Sequence, residues 1–150
     1  MKQLIIPILA LLFSLNTFAQ KREYISEKIK AQKVAFITER LNLTSEEAQK
    51  FWPIYNAHET EMQMLRHNSR EKHRRINFET LSEEEAKTRL TELMAYEKEE
   101  QRLKADLVNN LLTAIPAKKI LMLQQAEWSF KKRMLDEMRK RKKEFRKKTP

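Results

Sequence analysis

The run Leu43-Thr44-Ser45-Glu46-Glu47-Ala48 carries a complete signal for the start of an α-helix, and it sets the fold class of the chain. Thr44 is a hydroxyl N-cap, and Glu47, three residues later, can accept a hydrogen bond from the backbone N–H of that cap. Leu43 and Ala48 occupy the two positions of the hydrophobic staple around this capping box. The run therefore predicts a helix that begins immediately after Thr44.

A second helix start lies at residues 81–86, which read Leu-Ser-Glu-Glu-Glu-Ala. Leu81 takes the staple position, Ser82 is the hydroxyl cap, and Glu85 closes the box. Apolar residues recur at the spacing of one helix face before, between and after the two caps. The pattern predicts four helices, which run over residues 24–41, from 45 to a frayed end at 70–75, over 83–112, and from Pro116 onward.

The composition supports an all-α fold and excludes several other classes. The 150 residues include no glycine and no cysteine. Glycine supplies most of the positive-φ positions of β-hairpins, so an all-β or doubly wound α/β fold is disfavoured. Phosphate-binding loops of the P-loop and dinucleotide types need glycine, and disulfides and thiolate sites need cysteine. One small helical domain remains.

Residues 1–19 are typical of a secretory signal peptide. A short positive start, Met1-Lys2-Gln3, precedes an apolar run over 4–15 that is too short to span a membrane. Thr17-Phe18-Ala19 supplies small residues for a cleavage site, so we expect cleavage after Ala19. The product, residues 20–150, would be exported without an integral membrane segment. An uncleaved N-terminal anchor or a buried apolar helix is the alternative.

The predicted lengths of the last three helices favour an elongated molecule. Each has about 30 residues and would be roughly 45 Å long, whereas a compact domain of this size has a radius of gyration of about 14 Å. We therefore expect a curved, hairpin-like bundle whose apolar strip is completed by a second copy, in an antiparallel homodimer. Pro53 is expected to interrupt and kink the second helix.

The net charge of +10 is concentrated at the C-terminus. Residues 131–150 contain 11 basic and 3 acidic residues, whereas residues 21–130 contain 19 and 18. Three interpretations of the basic helix end stay open, namely a solvated end that the helix dipole favours, a nucleic-acid footprint, and contact with an anionic surface or client. Export makes nucleic acid the least favoured. The candidate contact residues are Arg139, Lys140, Arg141, Lys142, Lys143 and Arg146.

The sequence presents no catalytic constellation. His58, His67 and His73 are nine and six residues apart, so they do not share a helix face. The nearest metal-like pair is His58 with Glu61, and two ligands fall short of the three or four of a zinc site. Because no nucleophile is accompanied by a base and an orienting group, neither enzymatic activity nor a cofactor is expected.

The aromatic residues and methionines have two interpretations. Phe51, Trp52 and Tyr55 have the spacing of a helical core stripe. Methionine side chains fill cores, but they also repack around varied partners on promiscuous surfaces. The six methionines of the predicted mature chain are Met62, Met64, Met94, Met122, Met134 and Met138.

The run Leu43–Glu47 resembles the Leu-Thr-x-x-Gln motif of the Spy/CpxP family of exported helical stress proteins. The signal peptide, length, four helices, methionine content and basic balance are similar as well. The block Phe51–Tyr55 resembles a branch described as sensors of extracytoplasmic-function sigma factors or of heavy metals. Glu47 stands at the family's Gln position. The family's second motif, expected before the last helix, is present only as Leu112-Thr113, with Pro116 at its Gln position.

The resemblance implies a periplasmic, ATP-independent chaperone-like or envelope-stress protein. Such a protein would form a cradle-shaped dimer and bind partly unfolded or other envelope proteins on a basic amphipathic face. A sensor of a sigma-factor or two-component pathway, with metal bound through His58, His67 or His73, is the alternative. An exported enzyme is a third reading.

Overall fold

The computed structural model describes residues 27–73 and 76–148, and this part of the chain is helical with short connections. Its helices are α1 (residues 27–40), α2 (Ser45–His73), α3 (Glu83–Leu112) and α4 (Ala117–Lys148). The described ranges contain no strand, which confirms the predicted all-α class. The predicted signal peptide lies outside them. No described helix combines the length and apolarity that a membrane crossing requires.

The helix ends are made by side chains and by one positive backbone dihedral. After α1 the chain turns at Asn42, whose φ is 45°, while the N–H of Leu41 donates to the carbonyl of Ile37 at 2.9 Å. Asparagine tolerates the left-handed region better than most residues. At the end of α3 the hydroxyl of Thr113 donates to the carbonyl of Asn110 at 2.7 Å. Asn42 thus takes the positive φ that glycine commonly supplies at a helix end, whereas Thr113 stays in the right-handed region and uses its hydroxyl.

The two interior prolines differ from their predicted roles. Pro53 lies inside α2, which continues from Ser45 to His73, so the predicted interruption is wrong. Pro116 lies just before α4 instead of in its first turn. Its carbonyl accepts hydrogen bonds from the N–H groups of Lys119 at 2.9 Å and Ile120 at 3.4 Å, which makes it the N-cap.

The described residues divide into two compact units. In the first, which comprises residues up to 42 and from 123 onward, α1 packs against α4. The ring of Phe36 lies 5.6 Å from that of Phe130, and the guanidinium of Arg40 lies over the ring of Phe36, 5.2 Å from its centre. The buried apolar residues of this unit are Ile37, Leu41, Leu123, Ala126 and Phe130.

In the second unit, residues 43–122, α2 packs against α3. Charged pairs give the direction of the packing. Lys72 contacts Glu92 at 3.5 Å, and the charge of Arg66 acts on Glu100, which lies later in α3. The residue numbers in α2 decrease as those of their partners in α3 increase, so the two helices are antiparallel. The buried apolar residues of this unit are Phe51, Tyr55, Met62, Leu103, Leu111 and Ile115.

We expect Phe51→Ala to destabilise the protein by about 3 to 5 kcal/mol, since the ring is fully buried and truncation leaves a cavity. Met64→Ala is the control, because that side chain is 55% exposed and its truncation is expected to change stability by less than about 0.5 kcal/mol. Urea unfolding followed by circular dichroism measures both. Equal effects of the two substitutions would contradict the assignment of this core.

Candidate functional site

The α2 cap is the first feature that the sequence singled out, and its hydrogen bonds are present. The N–H of Thr44 donates to Glu47 Oε2 at 2.8 Å, and the N–H of Glu47 donates to Thr44 Oγ1 at 3.2 Å. Leu43 is half-buried beside them. The cap fixes where α2 begins.

An ion pair joins this cap to the start of α4. Lys119 Nζ donates to Glu47 Oε2 at 2.6 Å, and both side chains are largely covered, with 20% and 18% of their surface exposed. The bond from Lys119 and the backbone bond from Thr44 hold the pKa of the Glu47 carboxyl below its usual value. A neutral glutamine at this position would preserve the capping box and lose the ion pair.

The α3 cap has the same form. The N–H of Ser82 donates to Glu85 Oε2 at 2.9 Å, and the N–H of Glu85 donates to Ser82 Oγ at 3.3 Å. Ser82 has extended backbone angles of −72° and 157°. The hydroxyl of Ser82 also donates to Glu85 Oε2 at 2.8 Å, and the two bonds that the carboxylate accepts hold the pKa of Glu85 below its usual value, the backbone bond contributing most. Leu81 lies half-buried next to the box.

The residues weighed as metal ligands do not converge in the described part of the chain. His58 is half-buried, whereas Glu61 and His67 are exposed. The carboxylate of Glu61 acts on Arg102 of α3 and contributes to raising the pKa of that guanidinium, to which the hydrogen bond with Glu99 contributes most. Among the described residues, no group of three or more histidine or carboxylate side chains could hold a metal ion. The side chain of His73 lies outside the described residues.

The six basic residues proposed as contacts lie on the exposed C-terminal part of α4, at 139–143 and 146. Arg139 contacts Asp136 at 3.5 Å and Arg141 contacts Glu137 at 3.9 Å, both within the same helix. At side-chain exposures of 75% such pairs contribute little to stability. The basic groups therefore remain accessible to an anionic partner.

Residues 128–148 of α4 place charge and apolar surface on the same side. At about 100° per residue, an arc of roughly 160° contains four exposed apolar side chains, six basic residues and no acidic residue. We call this the α4 arc. The three acidic residues of the segment, Asp136, Glu137 and Glu144, lie on the remaining face with buried Phe130. The α4 arc consists of Trp128, Lys131, Lys132, Leu135, Met138, Arg139, Lys142, Lys143, Phe145 and Arg146.

A second exposed apolar surface runs along α3. Four apolar side chains lie on the side opposite buried Leu103, with exposures from 43% to 69%. Their positions are symmetric about Gln101. Leu90 and Leu112 each lie eleven residues from it, and Met94 and Val108 each lie seven. We call this the α3 outer face. Its apolar residues are Leu90, Met94, Val108 and Leu112.

Compared with protein-family models, with curated proteins and with solved structures, the chain matches none of them. Sequence reasoning found both caps and the basic helix end. It missed the pair of Glu47 with Lys119, because nothing local relates residues 72 positions apart. It also treated the basic residues as a run, although the helical period already separates the α4 arc from the acidic residues.

We expect Glu47→Gln to lower the melting temperature at pH 7, because it removes the charge that pairs with Lys119. Since the pKa of Glu47 is depressed in the folded state, this stabilisation is present above the ordinary value of 4.5 and is lost as the pH falls through the lower folded value. The difference from the parent protein should therefore shrink in acid.

A double-mutant cycle with Lys119→Gln, followed by thermal unfolding, checks this attribution. The double variant should lose less than the sum of the two single losses. Strictly additive losses, or a difference that persists unchanged at pH 3, would show that the pair does not couple the α2 cap to α4.

Proposed function

We propose that this protein is an exported, ATP-independent chaperone-like protein that binds partly unfolded proteins through a basic amphipathic surface, as its resemblance to the Spy/CpxP family implies. The exposure of apolar side chains carries the proposal. Fifteen large apolar side chains of the described chain are exposed, against eleven apolar residues in its cores. Those of the α3 outer face and the α4 arc lie on one side of their helices, and exposed apolar residues that are grouped in this way commonly mark a binding surface.

The chemistry of these surfaces suits an adaptable binder. Met64, Met94 and Met138 are each more than half exposed, and methionine repacks around ligands of different shape. Cations beside the apolar side chains of the α4 arc would attract acidic clients before apolar contacts form. Capture by this route should be fast at low salt and slower when salt screens the charge.

The experiment is light scattering of an aggregating client protein with and without the purified protein. We expect suppression of aggregation at a one-to-one ratio with the client, and weaker suppression in high salt. Scattering that is unchanged by an equimolar amount of the protein would contradict the chaperone proposal.

Deletion of residues 139–150 tests the role of the basic helix end in the same assay. The deletion removes the cations at 139–143 and 146–148, so suppression should weaken at low salt and approach that of the full protein at high salt. Unchanged suppression at low salt would identify this segment as a solvated helix end.

The α3 outer face supports the proposed homodimer. In an antiparallel pair related by a two-fold axis through Gln101, Leu90 would meet Leu112 of a second copy and Met94 would meet Val108. Each apolar residue would then lie opposite another, and the polar middle of the helix would lie opposite itself. This arrangement agrees with the antiparallel dimer expected from the helix lengths.

Sedimentation equilibrium at micromolar concentration tests this interface. We expect a dimer mass for the parent protein and a shift towards the monomer for Met94→Asp, which places a charge at two symmetry-related points of the interface. Met138→Asp on α4 is the matched control and should leave the mass unchanged. A monomer mass for the parent protein would contradict the dimer.

The sensor of an envelope signalling pathway is the second candidate. The block Phe51–Tyr55 motivates it by resemblance, and in the structure the ring of Phe51 stacks on Tyr55 at 5.3 Å and meets Trp52 edge-on at 4.9 Å. Such packing explains Phe51 and Tyr55 as core residues, with Trp52 half-buried beside them. A zinc-dependent change in mass or melting temperature would favour the sensor over the chaperone.

A further inference from the structure

The α4 arc carries a combination of features that binding of a client does not require. Its cations and apolar side chains share one face, and the three acidic residues of the segment are excluded from it. From Trp128 to Phe145 the apolar residues extend for about 26 Å at 1.5 Å per residue. The segment 131–148 contains 11 basic residues against 3 acidic ones. An occupant of this face must therefore be anionic and must accept apolar side chains over this length.

Charge disfavours a second copy of the chain as the occupant, since two α4 arcs would bring their excess positive charges together. A folded acidic protein would need pockets at the spacing of Trp128, Leu135 and Met138. The boundary between lipid headgroups and acyl chains accepts apolar side chains at any spacing along a helix. The exposed side chains of the α4 arc project outward, as insertion into such a layer requires.

The residue types of the α4 arc also match the interface of a bilayer. Trp128 is 63% exposed, and Lys132 Nζ lies 5.3 Å from the centre of its ring. Tryptophan favours the headgroup level, where its ring is in an apolar layer and its N–H is near polar groups. Long basic side chains beside the apolar stripe can extend towards phosphates while their methylene groups stay in the apolar layer.

We infer that the α4 arc is a peripheral binding site for an anionic lipid surface. Residues 128–146 lie in the plane of the interface, with Trp128, Leu135 and Met138 directed into the headgroup layer and the six cations directed at lipid phosphates. This inference goes beyond the proposed chaperone activity and does not rest on it. The aggregation assay contains no lipid and the lipid assay contains no client, so the two can fail separately.

Fluorescence of Trp128 tests the inference directly, because the chain has two tryptophans and Trp52→Phe leaves only this one. The purified Trp52→Phe protein is mixed with vesicles of phosphatidylglycerol and phosphatidylcholine, or of phosphatidylcholine alone. We expect a blue shift and co-sedimentation with the anionic vesicles, both reduced in high salt, and neither with phosphatidylcholine alone. No shift with anionic vesicles, or equal binding to both vesicle types, would overturn the inference.

Two charge-matched variants separate the α4 arc from general basicity. Lys131→Gln/Lys142→Gln removes two cations of the α4 arc, and Lys140→Gln/Lys147→Gln removes two from the opposite side of the same helix. The first should weaken anionic vesicle binding by about tenfold or more, and the second should weaken it clearly less. Equal losses would overturn the inference. Both variants and the parent protein have the same residues 1–19, so this segment cannot cause a difference in vesicle binding between the variants.

Polyglutamate serves as the probe for the competing occupant. If polyglutamate shifts the emission of Trp128 and anionic vesicles do not, the α4 arc is a surface for acidic protein segments and the lipid inference is wrong. If the vesicles shift the emission and polyglutamate at the same charge concentration does not, the lipid inference is supported.

Discussion

The described structure depends on one constraint, which is that every helix must begin and end without glycine. Hydroxyl side chains begin α2 and α3, the carbonyl of Pro116 begins α4, and Asn42 supplies the positive φ after α1. A capping box fixes the first turn to within one residue, and it satisfies backbone N–H groups that the helix itself cannot bond. The pair of Glu47 with Lys119 then couples one such start to another.

Local features could be predicted from the sequence because their partners lie within four residues. The boxes at Thr44 and Ser82 and the all-α class follow from such spacing. The predicted interruption of α2 at Pro53 was wrong, since the helix continues through that residue. The pairing of Glu47 with Lys119 and the register of α2 against α3 depend on contacts far apart in the chain, which periodicity does not specify.

The side of each helix that stays exposed was equally beyond reach from the sequence. Leu103 and Leu111 of α3 are buried, whereas Leu90 and Leu112 of the same helix are exposed, although all four are leucine. Hydrophobicity alone does not separate them, because the separation comes from the partner helix. The structure therefore presents two distinct exposed surfaces, which are the apolar α3 outer face with its symmetric spacing and the strongly basic α4 arc.

The exposed fraction of each methionine side chain determines where an oxidant acts first. Met62 is 2% exposed in the core, whereas Met94 and Met138 are 69% and 58% exposed on the α3 outer face and the α4 arc. An oxidant reaches the exposed thioethers first and converts them to polar sulfoxides. Oxidation would thus diminish the apolar character of both surfaces before it reached the core, and enzymatic reduction of the sulfoxides would restore it. The exposed apolar surfaces of this protein would thus respond to oxidants although the chain contains no cysteine.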